Sequence, residues 1–95
     1  MEILQEDNSQ RGSFFVEENG KRLAELAYTW REDHVISIDH TEVDESFEGR
    51  GVGSSLVEHT VMFARETGLK VKLYCPFAQQ VFERHKEYSD VLTTD

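Results

Sequence analysis

Residues 34–56, HVISIDHTEVDESFEGRGVGSSL, join a strand pattern to a helix pattern through a loop with three alternating glycines. The part from His34 to Val43 is rich in β-branched residues, which is typical of a strand. Strict alternation along this strand predicts one face formed by Ile36, Ile38, His40 and Glu42. A polar loop of residues 44–48 follows, so a ligand site is predicted where the strand gives way to the helix.

The helix pattern begins near Val52 and is predicted to end at about Thr67. Residues that form a stripe recur at helical spacing: Val52, Leu56, Val57, Thr60 and Ala64. Gly68 suits the left-handed residue that commonly follows a helix end. Glycines ahead of a helix let a ligand come close to the backbone, and the free N–H groups of the first turn favour an anion such as phosphate. Arg50 adds a cation, so the loop predicts a phosphorylated ligand.

Upstream of this region, Asn19-Gly20 separates two strand-like runs, 13–18 and 21–30. Asn-Gly between such runs predicts a hairpin with a two-residue turn. The turn sets Glu18 opposite Lys21 and Glu17 opposite Arg22, and both pairs have opposite charges. Residues 1–12 are mostly polar and are predicted to fray.

Downstream of the helix, residues 70–75 predict a short strand that Pro76 ends. Pro at the first helical position suits a second helix to about His85. The element order is then β-β-β-α-β-α, in which strand, helix and strand form a parallel crossover and the first strands form antiparallel hairpins. The predicted fold is a single α+β domain over residues 1–95. It has a mixed sheet with helices on its faces, in α/β/α layers.

Composition restricts the function. The 95 residues include 19 Asp and Glu against 10 Lys and Arg, for a formal charge of −9. A surface this acidic repels nucleic-acid backbones, which argues against a nucleic-acid partner. The start shows neither a secretion signal nor a membrane span, and the single Cys75 cannot form an internal disulfide, so a cytoplasmic location is expected. The His and Cys residues lack metal-ligand spacing, so no metal site is predicted.

Three well-known phosphate loops do not fit the glycine segment. A Walker A loop requires Lys after its last glycine, where this chain has Ser54. A dinucleotide fingerprint requires Gly or Ala at that same position, and an acidic residue where Cys75 stands. A kinase glycine loop joins two strands rather than a strand and a helix.

The stretch from Val43 to Leu56 resembles motif A of the GNAT superfamily of N-acetyltransferases, written Gln/Arg-x-x-Gly-x-Gly/Ala. Its glycines align with Gly51 and Gly53, and Glu48 takes the first position in place of Gln or Arg. The resemblance implies an acyl-CoA N-acyltransferase-like fold, with acetyl-CoA as cofactor and transfer of acetyl to an amine. The residues it places on the cofactor are Val43 at the pantetheine arm and Glu48, Gly49, Arg50, Gly51, Val52, Gly53 and Ser54 at the pyrophosphate.

The segment from Cys75 to Arg84 resembles Asn-x-x-Ala-x-x-x-Tyr-Glu-Lys of motif B in the same superfamily. Ala78 and Glu83 match, Cys75 takes the Asn position and Phe82 takes the Tyr position beside the cofactor. In the family that Tyr often protonates the departing thiolate of coenzyme A. Phe82 has no hydroxyl, so the usual general acid is missing or supplied elsewhere.

A group of short GNAT-like proteins of about this length shares further features with the chain. That group carries an Ile-x-His-Thr-Glu-Val strand, the glycine loop, a Cys-Pro or Cys-Ser step and a His-Pro-Glu-Tyr ending. Here the matching segments are 38–43, 75–76 and 85–88. The resemblance therefore covers about residues 13–92.

The resemblance implies that the chemistry lies with Cys75, His40 and Glu42. Either His40 or Glu42 would take the proton of the acceptor ammonium, or His40 would be a structural residue and Glu42 a solvated one, without chemistry. Cys75 would carry acetyl as a thioester, with His40 as its activator in one version, or it would be a buried residue without chemistry. The acceptor expected is a small-molecule or peptide amine, and the protein a monomer or small homo-oligomer. The alternatives are a non-catalytic module that binds CoA or another phosphate ligand, and an interaction protein without a ligand.

Overall fold

A computed structural model describes residues 1–93 of the chain. Within them lie five strands, β1 Leu4–Asp7, β2 Arg11–Glu18, β3 Lys21–Trp30, β4 Val35–Val43 and β5 Lys70–Leu73. Two α-helices, α1 Val52–Thr67 and α2 Pro76–Arg84, and two 3-10 turns, Glu45–Phe47 and Lys86–Val91, complete the described elements. The strands form one sheet in the order β1-β2-β3-β4-β5. Within residues 1–93, no helix is both long enough and apolar enough to cross a membrane.

The sheet is mixed, as predicted. Strands β1 to β4 pair antiparallel, whereas β4 and β5 pair parallel through the crossover that contains α1. The predicted hairpin register is confirmed, because Glu18 pairs with Lys21 and Glu17 with Arg22. Asn19 has a φ of 52°, the positive value that this two-residue turn requires.

Strand β1 corrects the prediction that residues 1–12 fray. Residues 4–7 pair with β2, so the observed order is β-β-β-β-α-β-α. Asp7 anchors the strand, because its carboxylate accepts hydrogen bonds from the Tyr28 hydroxyl at 2.5 Å and from Trp30 Nε1 at 2.9 Å. The local sequence of residues 4–7 is polar and does not predict a strand. The residues that hold Asp7 in place, Tyr28 and Trp30, lie more than twenty positions away in the sequence.

Both helices pack on the same face of the sheet, which we call the helix face. The fully buried side chains of Leu26 on β3 and Ile38 on β4 belong to one core with Leu56 of α1 and Val81 of α2. The other side, the open face, carries no helix among residues 1–93. The arrangement therefore has two layers where the sequence predicts α/β/α layers, because the apolar side chains of β3 are concentrated on one side of the sheet.

Strand β4 contains a one-residue bulge at Asp39. Ile38 pairs with Tyr28 and His40 pairs with Ala27, so Asp39 has no partner in the ladder. An extra residue of this kind inverts the alternation of side chains beyond it. An aspartate inside a β-branched strand was the signal for this irregularity, because Asp is depleted in regular strands.

The bulge overturns the predicted face of β4. Ile36 and Ile38 are fully buried on the helix face. His40 and Glu42 lie on the open face, and Thr41 takes the helix-face position opposite the buried Leu26 of β3. The prediction that all four residues Ile36, Ile38, His40 and Glu42 share one face is therefore wrong.

Candidate active site

The glycine loop opens α1 with a backbone that favours glycine. Gly51 is the N-cap of the helix and has the left-handed angles φ 72° and ψ 19°. The first intrahelical hydrogen bond joins the Ser55 N–H to the Gly51 carbonyl at 3.0 Å. The N–H groups ahead of Ser55 have no partner within the helix, and the first turn holds no acidic side chain. The loop therefore presents amides at the positive end of the helix dipole, which suits an anion.

Gly53 has a different role, which is close packing of the two helices. A Cβ atom at this buried residue would lie 2.9 Å from Cζ of Phe77 in α2. Glycine therefore lets the start of α1 approach the start of α2. The flanking Val52 is buried as well, while Ser54 is half-buried.

Charged side chains border the loop on its outer side. Arg50 is exposed, and its guanidinium carbon lies 5.4 Å from the centre of the Phe47 ring. Phe47 is buried in the core, and a pocket of 350 Å³ lies beside Phe47, Arg50 and Val16. Glu48 is exposed, and its own N–H donates to the Glu45 carbonyl at 3.2 Å. The Glu48 amide is therefore already bonded within the loop, unlike the amides of the helix start.

Strands β4 and β5 stop pairing before β4 ends, and we call the region beside the unpaired part of β4 the wedge. Their last pair is Ile38 with Leu73, and the Tyr74 N–H donates to the Ile38 carbonyl at 3.0 Å. Strand β4 continues over residues 39–43 without pairing with β5. Main-chain groups up to the half-buried Val43 are therefore free of the β4–β5 ladder and lie beside the strand end that leads to the glycine loop.

Cys75 lies at the helix-face side of this wedge. It is the N-cap of α2, it is 4% exposed, and its thiol donates to Thr41 Oγ1 across 3.6 Å. Sequence reasoning missed Thr41, because only the bulge turns its hydroxyl toward Cys75. Phe82 is buried in α2, and its ring packs edge-on against Tyr88 with 5.4 Å between ring centres. The two helix-face positions singled out by the resemblance are thus both enclosed.

His40 and Glu42 lie on the opposite side of the sheet from Cys75. Both are exposed, and within residues 1–93 neither side chain takes part in a hydrogen bond or ion pair. The structure therefore does not gather the three predicted catalytic residues in direct contact. Activation of Cys75 by His40 requires a contact between these two residues. In the structure the Cys75 thiol contacts Thr41 instead.

The open face forms a polar groove of 1020 Å³ that reaches His40. The small side chains of Ser13 and Ala27 form its floor. Beside them Arg22 pairs with Glu6 at 2.6 Å, and its guanidinium carbon lies 3.7 Å from the centre of the Phe15 ring. The groove is thus shaped by ion pairs held against the sheet. Among residues 1–93, no cluster of three His, Cys, Asp or Glu residues could hold a metal ion.

A parallel crossover, a glycine loop at a helix start and a wedge beside that loop define an acyl-CoA N-acyltransferase-like fold. A family model described as GCN5-related N-acetyl-transferase matches residues 13–91. Protein NATD1 of Mus musculus is 33% identical over 79 residues, which is 82% of this chain and 72% of that protein. Protein NATD1 of Xenopus tropicalis is also 33% identical, with the same shares of both chains. The chain belongs to the GCN5-related N-acetyltransferase family.

Solved structures agree with this assignment. An NMR structure of a GCN5-like protein from Staphylococcus aureus has a TM-score of 0.71 and 35% identity, and the match covers 97% of this chain and 87% of that one. An aminoglycoside N-acetyltransferase in complex with CoA has a TM-score of 0.65 and 15% identity, over 87% of this chain and 88% of that one, which shows likeness of fold. The predicted family and the predicted mixed-sheet fold class are confirmed.

Proposed function

We propose that this chain is a small N-acetyltransferase that moves acetyl from acetyl-CoA to a primary amine on a small molecule or peptide. The observation that carries the proposal is the left-handed Gly51, which opens α1 beside a wedge between β4 and β5. Family membership supports the reaction class. The CoA-bound aminoglycoside N-acetyltransferase, a structure of the same fold, supports the choice of cofactor.

The residues of the loop fit the acidic part of the cofactor. Backbone N–H groups of residues 50–54 would hold the pyrophosphate, and the Arg50 guanidinium would add a positive charge. Main-chain groups of Val43 would hydrogen-bond the pantetheine arm, and Phe82 would give the thiol end an apolar wall. Acetyl-CoA supplies an activated acetyl thioester when it is bound. Glu48 replaces the Gln or Arg of the family motif, so the free amides and Arg50 would hold the phosphates.

The open face would receive the acceptor, because His40 and Glu42 lie there without partners. An attacking ammonium must first lose a proton, and either side chain can accept it. The amine nitrogen then forms a bond to the acetyl carbon, and the bond from that carbon to sulfur breaks. CoA departs as a thiolate and gains the proton that the nitrogen loses as the amide forms. The groove over Ala27 leads to His40 and leaves room for the rest of the acceptor.

Cys75 defines two routes for the transfer. In the direct route the amine attacks the thioester, and Cys75 is a buried wall residue. In the covalent route Cys75 Sγ bonds to the acetyl carbon, and the Cys75 proton leaves with the departing thiol of CoA. The amine then takes the acetyl group, Cys75 departs as a thiolate, and the proton that the amine lost returns to its sulfur.

Two measurements test this proposal. Calorimetry with acetyl-CoA should show saturable binding, and its absence up to millimolar cofactor would exclude the function. Intact mass after exposure to acetyl-CoA should show one added acetyl group on wild type but not on Cys75→Ala if the covalent route operates. Acetylation of an amine with no such adduct would assign the direct route.

A non-catalytic module that binds CoA or another phosphate ligand is the second candidate. The lack of a hydroxyl on Phe82 favours it, because the usual proton donor to the thiolate is missing. Thiol release from acetyl-CoA, followed with and without a panel of amines, separates the two functions. Binding without amine-dependent release would identify the module.

We also propose that the protein is cytoplasmic and is a monomer or small homo-oligomer. We further propose that it does not bind nucleic acid. The formal charge of −9 supports the last point, because it opposes binding to a phosphate backbone. The single, buried Cys75 suits a reducing compartment.

A further inference from the structure

The bulge in β4 is held by the side chain of the residue that it leaves unpaired. Asp39 Oδ2 accepts a hydrogen bond from Thr29 Oγ1 at 2.5 Å. Asp39 Oδ1 accepts from Ser37 Oγ at 2.8 Å and from Arg31 Nη2 at 3.4 Å. Arg31 Nε also donates to Ser37 Oγ at 2.8 Å, and Ser37 is fully buried beneath it. Three side chains, from β3, from the residue after β3 and from β4, thus donate to the carboxylate of Asp39.

The position of a bulge decides which side chains face which side of a sheet. Moving it along the strand carries the residues that it passes to the opposite face. Movement toward the amino terminus is opposed by the apolar pattern, because the fully buried Ile38 would leave the core. In the other direction the next residues, 40–42, are all polar. If the bulge moved to Thr41, His40 would turn to the helix face.

We propose that Asp39 is a positioning residue that pins the bulge. Its bonds to Thr29, Ser37 and Arg31 keep His40 on the open face beside Glu42 and keep Thr41 beside Cys75. The inference rests on the proposed function for its catalytic consequence, which is that the proton acceptors face the amine. It names a residue outside both family motifs, which acts through the backbone and touches neither cofactor nor acceptor.

The test compares Asp39→Ala, Asp39→Asn and the control Asp33→Ala. Asp33 is exposed in the turn before β4, and within residues 1–93 its side chain has no hydrogen bond. In Asp39→Ala we expect amide exchange at residues 40–42 to rise about tenfold or more, while exchange within α1 stays unchanged. We expect kcat for acetyl transfer to fall about tenfold and KM for acetyl-CoA to change less than about twofold.

Asp39→Asn keeps one acceptor oxygen, so its exchange and kcat should lie between those of wild type and Asp39→Ala. Asp33→Ala should match wild type. A kcat for Asp39→Ala equal to that of wild type would overturn the proposal. If kcat falls in step with the melting temperature and the KM values for acetyl-CoA and the amine both rise, Asp39 has a structural role only. That result would also overturn the proposal.

Two further arms keep the outcome decisive. If Asp39→Ala does not fold, Thr29→Val and Ser37→Ala each remove one bond to the Asp39 carboxylate, and Ser37→Ala also removes the bond that Ser37 accepts from Arg31. Both variants should give smaller changes in the same directions. If wild type transfers no acetyl group, the proposed function fails. The position of His40 then still tests whether Asp39 fixes the bulge. An unchanged nuclear Overhauser contact between His40 and Ala27 in Asp39→Ala would then refute it.

Discussion

Single side chains on the two sides of β4 have separate chemical environments. Thr41 and Cys75 are in contact on the helix face, where Cys75 belongs to the core and Thr41 is half-buried. His40 and Glu42 are exposed on the open face. An acyl donor at the wedge and an amine in the groove would therefore meet different residues, which is the basis of the proposed mechanism.

Thr41 should control the reactivity of Cys75, because its hydroxyl is the hydrogen-bond partner of the sulfur. A thiolate gains from a nearby donor, so Thr41→Val should slow alkylation of Cys75 by iodoacetamide, by roughly three- to tenfold. Thr41→Ser keeps the hydroxyl and should react at nearly the wild-type rate. The rates are measured by intact mass, and equal rates for the Val and Ser variants would contradict the prediction.

Asp7 should make folding sensitive to acid. Burial raises the pKa of Asp7, but hydrogen bonds from Tyr28, the Ser9 N–H and Trp30 together outweigh burial and hold the pKa below its ordinary value of 3.8. Because the folded pKa is the lower one, the stabilisation is complete above the unfolded value and is lost as pH falls through the folded value.

Asp7→Asn should therefore lower the melting temperature at about pH 7, and the difference from wild type should shrink toward about pH 3. Thermal unfolding followed by circular dichroism at both pH values measures this. A difference that is constant with pH would show that the charge of Asp7 does not stabilise the fold.

At the level of elements, α1 has a left-handed glycine at each end. Gly51 and Gly68 both have φ 72°, and a Cβ atom at either would meet nothing within 4 Å. The two positions differ in the end of the helix that they occupy, since Gly51 is the N-cap and Gly68 the C-cap. Gly51 belongs to the proposed anion site, whereas Gly68 precedes β5 at the far end of the helix.

This symmetry gives a matched pair of variants. Gly51→Ala and Gly68→Ala should each lower the free energy of unfolding by about 1–2 kcal/mol, because an L residue is strained in this conformation. Gly51→Ala alone should also weaken CoA binding, by about tenfold, since strain there shifts the amides of the helix start. Denaturant unfolding and calorimetry test both parts, and equal CoA affinity in the two variants would remove the loop from the site.

The whole molecule combines a strongly acidic surface with an uncovered sheet face. Its formal charge is −9, and the groove over Ala27 is open to solvent. A net negative charge raises the local concentration of cationic ligands near the protein surface. If the chain transfers acetyl as proposed, we therefore expect it to prefer acceptors with several ammonium groups.

Salt should reveal this attraction. Raising the ionic strength from about 0.02 M to about 0.3 M shortens the screening length to less than 10 Å. KM for a polyamine acceptor should then rise several-fold, while KM for a monoamine changes less, because each added charge increases the attraction. Steady-state kinetics with both acceptors make the comparison, and parallel changes in the two KM values would contradict it.

Local signals were enough to predict the first hairpin and the two ends of α1. Asn19-Gly20 set the hairpin register because a two-residue turn leaves no freedom in pairing, and Gly51 and Gly68 marked both ends of α1 because few residues tolerate positive φ. Gly51 also belongs to the loop in which the anion site is proposed. These features depend on neighbours within a few positions along the chain.

Other features depended on partners far apart in the sequence. The bond of Tyr28 to Asp7 in β1, the bond of Thr29 to Asp39 at the bulge and the contact of Thr41 with Cys75 join residues 10 to 34 positions apart. Period-two alternation could not predict the true faces of β4, because one extra residue held by side chains of β3 inverts the pattern. Folding placed His40 and Glu42 opposite Cys75 through contacts that no local stretch of the chain contains.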